Sequence, residues 1–281
     1  MREVSYYPGC SLHGTAREYD ESFRGVARHL GIRLQELEDW TCCGASSAHS
    51  VDEELAQALA GRNLALARQA GRELLVPCVA CYSRFKEAAA AETGDSAAQE
   101  ESLSISYALD YFCRDEFLKE IESKLVKALT GLKVVCYYGC LGVRPPKLTG
   151  VKQYENPRHM DRLMEVLGCE AIPWSYKTDC CGASLMMTRT DVVQKLANRL
   201  ASMAREAGAD IIVTGCPLCQ ANLDTRQDES EQETGGKYAV PVLYFTELIG
   251  LALGDRDVKK WLGRHITDPI KMLNGKGLIS R

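Results

Sequence analysis

The 281-residue sequence predicts a duplicated α/β fold: two pseudo-symmetric copies, each a small, mainly parallel sheet flanked by helices. Three observations carry this. Cys10, Cys42, Cys43, Cys78 and Cys81 form one set of cysteines, and Cys140, Cys180, Cys181, Cys216 and Cys219 form a second. In both sets 34 residues separate the adjacent pair from the later C-x-x-C, and each pair opens the same Cys-Cys-Gly-Ala-Ser run. A repeat this long marks a duplicated domain, not a short solenoid unit. Within each copy, short apolar runs alternate with helical periodicity, the pattern of a parallel α/β sheet.

Taken in order, "SYYPGC" (5–10) is read as a strand delivering Cys10, and "VCYYGC" (135–140) is its counterpart delivering Cys140. After the first pair, Ser50 and Glu53 have capping-box spacing, with Leu55, Leu59, Leu66 and Ala70 as the expected helix face. Shifted by 138 residues these become Val193, Ala197, Ala204 and Gly208. "ELLVPC" and "DIIVTGC" are short strands that end in the C-x-x-C pairs, each followed by a short helix. The polar stretches "ETGDSAAQEES" and "TRQDESEQETGGK" are expected as surface loops. Apolar runs "LSISYALDYF" and "VPVLYFTELIG" complete the copies. The expected domains are 1–128 and 129–281, the second carrying a tail from about 254 that has no counterpart in the first. In open α/β sheets functional groups gather at the carboxyl ends of strands, so each copy can collect five thiols at one edge.

A formal charge of −4 and a pI near 5.8 argue against a nucleic-acid footprint. The longest apolar segment, "LIGLALG", is too short to span a bilayer, and "MREVSYYPGC" does not open a signal peptide. The expectation is a soluble cytoplasmic protein. There, thirteen cysteines point to metal or redox chemistry more than to disulfides. A zinc site closes with four ligands, and a thioredoxin-like dithiol needs only the C-x-x-C. Five thiols per set favour iron–sulfur chemistry over both.

The pattern C-x31-C-C-G-x33-C-x-x-C, repeated with x39, resembles the paired CCG domains of the heterodisulfide reductase B-subunit family over almost the whole chain. "YENPRHMDRLMEVLG", "KTDCCGASL", "CPLCQANLDTRQ" and "GRHITDPIKML" strengthen it. The resemblance implies two noncubane 4Fe–4S clusters, one on Cys10, Cys42, Cys43, Cys78 and Cys81, the other on Cys140, Cys180, Cys181, Cys216 and Cys219. It further implies the catalytic part of a heterodisulfide reductase-like complex, which reduces a disulfide such as CoM-S-S-CoB to two thiols. Electrons would arrive through two partners, an iron–sulfur protein resembling the family's C subunit and a flavin-containing protein resembling its A subunit. Two centres supplying one electron each would match the two electrons that S–S cleavage needs. The alternative is an electron-relay component of another CCG oxidoreductase, of the lactate- or glycolate-oxidising type, that binds no substrate; a zinc-stabilised scaffold is a third class. One stretch departs from the family pattern: where many relatives read H-Y-G-C-H, this chain has Cys136 and Leu141 in place of the histidines.

His13 and His49, near Cys10 and Cys43, are candidate proton donors, against a solvated or supporting role. His29, His159 and His265 default to structural or surface roles, and Cys113, Cys136 and Cys169 to packing. Arg144–Lys147, "RPPK", is either a rigid turn or an anion-binding one. Gly44 and Gly182 are read as allowing positive φ or close approach. Without a G-x-G-x-x-G or Walker sequence, no nucleotide or flavin is expected on this chain.

Overall fold

Strand β1 (Arg2–Tyr6) buries Val4, Ser5 and Tyr6, and the turn that carries Cys10 follows it directly. The computed structural model describes residues 2–46, 48–93, 103–227 and 239–279. β1 pairs in parallel with β2 (Ile32–Glu36) on one side and β3 (Leu74–Val76) on the other. β4 (Ile105–Tyr107) lies beyond β3, giving the order β2-β1-β3-β4. The second copy repeats this as β6-β5-β7-β8, with β5 Lys133–Tyr137, β6 Glu170–Ala171, β7 Ile211–Thr214 and β8 Val242–Tyr244. Strands covered by helices on both faces read as continuous apolar runs, as Leu74–Val76 and the Ile-Ile-Val run 211–213 do, every residue buried. The two copies are therefore two parallel four-stranded sheets flanked by helices. The polar stretches expected as loops fall outside the described residues from 94 to 102 and from 228 to 238.

The helix after the first cysteine pair corrects two expectations. Its N-cap is Asp52, whose carboxylate accepts from Leu55 N at 2.9 Å. Ser50 is used one turn earlier, donating to Ser46 O, so the Ser50/Glu53 box does not form. Helix Glu53–Ala70 buries Ala56, Ala60, Asn63, Leu64 and Ala67, while Leu55 is 49% exposed. The reason is the glycine of the Cys-Cys-Gly turn: a Cβ on Gly44 would meet Ala56 Cα at 3.1 Å, so the small-residue face turns toward it. Gly182 meets Val193 in the same way. Ala56, Ala60 and Ala67 are thus matched by Val193, Ala197 and Ala204, a shift of 137, although 138 relates the C-x-x-C pairs.

The copies join through the first copy's helix Arg17–His29 and the second copy's helix Phe245–Ala252, which is buried along its whole length. Tyr19 and Tyr244 stack across this seam with centroids 4.1 Å apart and planes 3° from parallel. Such a pair contributes roughly 0.5–1.5 kcal/mol beyond its buried area. The unpaired tail closes the seam. Trp261 fits against Gly25 and Gly250, where an added Cβ would stand 2.8 and 2.6 Å from its ring.

Candidate functional site

In a sheet of this strand order, the chain leaves β1 and β3 in opposite directions, and the crevice outside their carboxyl ends is the place for a ligand. Both copies put their thiols there. Cys10 follows β1, Cys78 follows β3, and Cys81 sits in the first turn of helix Val79–Thr93; Cys42 and Cys43 return on the loop after β2. Cys140, Cys216 and Cys219 repeat this after β5 and β7, with Cys216 capping helix Pro217–Thr225 and Cys180 and Cys181 on the intervening loop.

One tyrosine in each copy locks the loop to the strand. Tyr7, three residues before Cys10, donates its hydroxyl proton to Thr41 O at 2.7 Å. Tyr137, three residues before Cys140, donates to Asp179 O at 2.7 Å. Thr41 and Asp179 immediately precede the two cysteine pairs. Burial first, and then the surrounding thiols, push the hydroxyl pKa of both tyrosines upward. The neighbouring thiols are Cys81, Cys43, Cys42 and Cys10 around Tyr7, and Cys219, Cys181, Cys140 and Cys180 around Tyr137.

The thiols themselves divide into an inner and an outer group. Cys43, Cys78 and Cys81 are buried in the first site, as are Cys181, Cys216 and Cys219 in the second. Cys10, Cys42 and Cys180 are exposed, and Cys140 is half-buried. Cys43 Sγ lies 3.0 Å from Cys81 Sγ, and Cys181 Sγ lies 3.6 Å from Cys219 Sγ. Hydrogen bonds from Cys42 and then Cys81 hold the Cys43 thiol down at about 3. The Cys140 thiol holds Cys180 at about 6. Backbone amides of Gly44 and Gly182 point at Cys42 Sγ and Cys180 Sγ, at 3.4 and 3.2 Å.

These features fit an iron–sulfur group. All thirteen cysteines are unbridged, and each site gathers five soft sulfur donors. Gly9 and Gly139 have positive φ, and a Cβ there would stand 3.2 and 3.1 Å from Cys81 Sγ and Cys219 Sγ, so glycine keeps the sulfur side of each turn clear. Among the described residues, no group of three or more His, Cys, Asp or Glu side chains is arranged to hold a metal ion.

The second site has a support the first lacks among the described residues. Lys177 Nζ donates to Asp161 Oδ1 at 2.6 Å and to Pro157 O at 3.0 Å, and both the Lys177 and Asp161 side chains are buried. Tyr138 donates to Asp161 Oδ2 at 2.7 Å. Lys177 O accepts from Tyr138 N and Gly139 N, which ties the turn before Cys140 to the loop before Cys180. Pro157 and Asp161 lie in "YENPRHMDRLMEVLG" and Lys177 just before "TDCCG", but spacing gives no sign that they meet.

His13 Nε2 is 3.2 Å from Glu36, and its ring stands edge-on to Trp40 on the helix that carries exposed Cys10. His49 is exposed and faces Arg84 Nη1 at 3.3 Å. Arg144 donates to Thr178 Oγ1 at 3.4 Å, on the rim of the second site. Cys136 and Cys169 are buried, and Cys113 donates to His159 O at 3.3 Å, all three with thiol pKa raised by burial. His265 is buried against Glu247, while His29 and His159 pair with Asp255 and Asp110. The two sites adjoin across the seam: helix Gly9–His13 packs on Pro217–Thr225, and helix Val79–Thr93 packs on Pro146–Thr149.

Comparison with known proteins finds the same duplication. The CCG cysteine-rich domain matches residues 4–86 and again 134–224. The chain is 32% identical over 282 residues to the membrane anchor of the 8-methylmenaquinol:fumarate reductase of Wolinella succinogenes, covering 97% of this chain and 99% of that one. It is 28% identical over 271 residues to the B subunit of the ferredoxin/F420H2-dependent CoB-CoM heterodisulfide reductase of Methanosarcina acetivorans, covering 90% of both. A protein of Archaeoglobus profundus, named as like the B subunit of heterodisulfide reductase, is 27% identical, covering 90% and 91%. A solved structure of a hypothetical protein from Helicobacter pylori shares the fold, with a TM-score of 0.71 at 12% identity over 95% of this chain; this chain spans about half, 52%, of its length. Among the described residues no helix is long and apolar enough to cross a membrane.

Proposed function

The chain belongs to the family of the cysteine-rich CCG domain, which it carries twice, and from that premise we propose that each five-cysteine site holds a 4Fe–4S cluster of noncubane type, in a protein that exchanges two electrons with an acceptor. The observation that carries this is the pairing: two complete sets of five thiols adjoin across one seam. Iron–sulfur centres supply one electron each, so two of them match a two-electron acceptor such as a disulfide. Reduction of a heterodisulfide to two thiols is the reading we place first, with electrons supplied by an iron–sulfur and a flavin-containing partner.

In this reading the inner thiols Cys43, Cys78 and Cys81, and Cys181, Cys216 and Cys219, hold the group away from water. Cys10, Cys42, Cys140 and Cys180 stand at the open edge where an acceptor arrives. Arg144 on the rim of the second site can receive an anionic tail. His13, one helical turn from Cys10 and paired with Glu36, is the better placed of the two candidate proton donors. His49, turned toward Arg84, is the lesser one.

A second reading has its own observations. The relative from Wolinella succinogenes is named for quinol:fumarate chemistry, not for a disulfide. In the same direction, Cys136 is buried in β5 and Leu141 is a partly exposed apolar residue at the two positions where this chain departs from the H-Y-G-C-H pattern of the family it resembles. Here the sites would relay electrons between a quinol and a partner flavoprotein.

Iron and acid-labile sulfide analysis of anaerobically purified protein, with electron paramagnetic resonance, tests the shared core: two clusters per chain are expected, and one or none overturns it. Reduction of the CoM–CoB heterodisulfide by the chain with a reduced viologen then supports the first acceptor. Its failure, together with quinol-dependent reduction of the chain's clusters, supports the second.

A further inference from the structure

The seam contains a residue that touches both sites at once. Tyr19 is fully buried in helix Arg17–His29, and its hydroxyl donates to Gly215 O at 3.0 Å with Pro77 O at 3.4 Å. Pro77 immediately precedes Cys78, and Gly215 immediately precedes Cys216. One proton is thus shared by the carbonyls that lead into the two C-x-x-C turns. The ring is fixed by its stack on Tyr244 and by the edges of Phe23 and Phe245. Tyr107 closes the same space, its hydroxyl pressed against Gly215, where a Cβ would collide with it. These carbonyls lie among apolar and aromatic groups, where an unmet acceptor is expensive, so loss of the shared bond is felt on both sides.

We propose that Tyr19 is the positioning residue that couples the two cysteine sites, so that ordering of one C-x-x-C turn orders the other. Such coupling is reciprocal: if ordering the turn at Cys78 stabilises the turn at Cys216, linkage requires the reverse by the same factor. It rests on the thiol turns themselves and holds for any group they bind. A second cross-seam bond provides the control. Ser22, one helical turn from Tyr19, lies 2.7 Å from Thr246 Oγ1 and donates to Tyr19 O at 3.1 Å, and among the described residues it hydrogen-bonds to neither cysteine turn.

Amide hydrogen exchange on the full-length chain, kept reduced and anaerobic, reads the two turns directly. Tyr82 N and Gln220 N bond to Cys78 O and Cys216 O, both at 2.9 Å, and are the reporters. Tyr19→Phe keeps the ring and its stack while removing the hydroxyl. It is expected to speed exchange at both reporters about fivefold, the scale of one lost hydrogen bond, with Ser22→Ala leaving them within about twofold of the parent. Faster exchange at one reporter only, at neither, or equally in Ser22→Ala overturns the proposal. Iron–sulfide reconstitution separates it from the cluster reading. If exchange rises at both turns but the parent protein takes up a single cluster, Tyr19 coupling stands and the two-cluster reading falls.

Discussion

Lys177 Nζ lies 2.6 Å from Asp161 Oδ1, with 6% and 3% of the two side chains exposed. The pair anchors the second site alone, and nothing equivalent is seen in the first among the described residues. Removing one member of a buried ion pair strands the other, so Lys177→Met is expected to cost about 3–5 kcal/mol. Lys177→Met combined with Asp161→Leu is expected to recover part of that loss. Denaturant unfolding of the three proteins checks both statements.

Tyr137 holds the loop before Cys180, and Tyr7 holds the loop before Cys42, through matched hydrogen bonds of 2.7 Å. Tyr137→Phe is expected to speed alkylation of Cys180 by roughly fivefold, the scale of one lost hydrogen bond, without changing Cys42. Tyr7→Phe reverses the pattern. Mass spectrometry of the alkylated chain reads each thiol separately.

Trp261 leaves no room for a side chain at Gly250, since an added Cβ would stand 2.6 Å from its ring. Gly250→Ala is expected to destabilise by about 1–3 kcal/mol through overpacking. Gly250→Ala with Trp261→Leu should lose less than the two single changes summed, because they share the contact. Thermal unfolding distinguishes these outcomes.

His265 Nε2 is 2.8 Å from Glu247 Oε1 inside the second copy. Burial works against the imidazolium, but the Glu247 carboxylate, then Asp224 and Glu18, outweigh it and raise the pKa to about 9. A raised pKa contributes stability that is fully present below the unfolded value of about 6.5 and is lost as pH rises through the folded value. Stability is therefore expected to fall between pH about 6.5 and about 9, by an amount on the order of 3 kcal/mol. His265→Gln should flatten that part of the profile, as followed by unfolding at a series of pH values.

Under the two-cluster reading, Cys43→Ser and Cys181→Ser each remove the iron of one site. Cys136→Ala, in the buried core of β5, leaves both loaded. Iron analysis of the three variants, with resonance spectra of each, checks the assignment. Equal iron loss in Cys136→Ala would move that residue into the ligand set.

Sequence alone determined the inventory: ten cysteines in two matched sets, a parallel sheet in each copy, and strands that lead into the turns carrying Cys10, Cys78, Cys140 and Cys216. These were legible because strand length, apolar runs and cysteine spacing are local properties, and because a repeat checks itself. Tertiary structure decided what depends on residues distant in sequence. It turned helix Glu53–Ala70 by one residue, because Gly44 admits Ala56 and not Leu55. It joined Lys177 to Asp161 and brought Tyr19 between Pro77 and Gly215, partners separated by 58 and 196 positions. It also set the two sites side by side. The spacing of one copy contains no term for the other, and the stacked tyrosines, the buried helix Phe245–Ala252 and Trp261 from the unpaired tail fix how they meet.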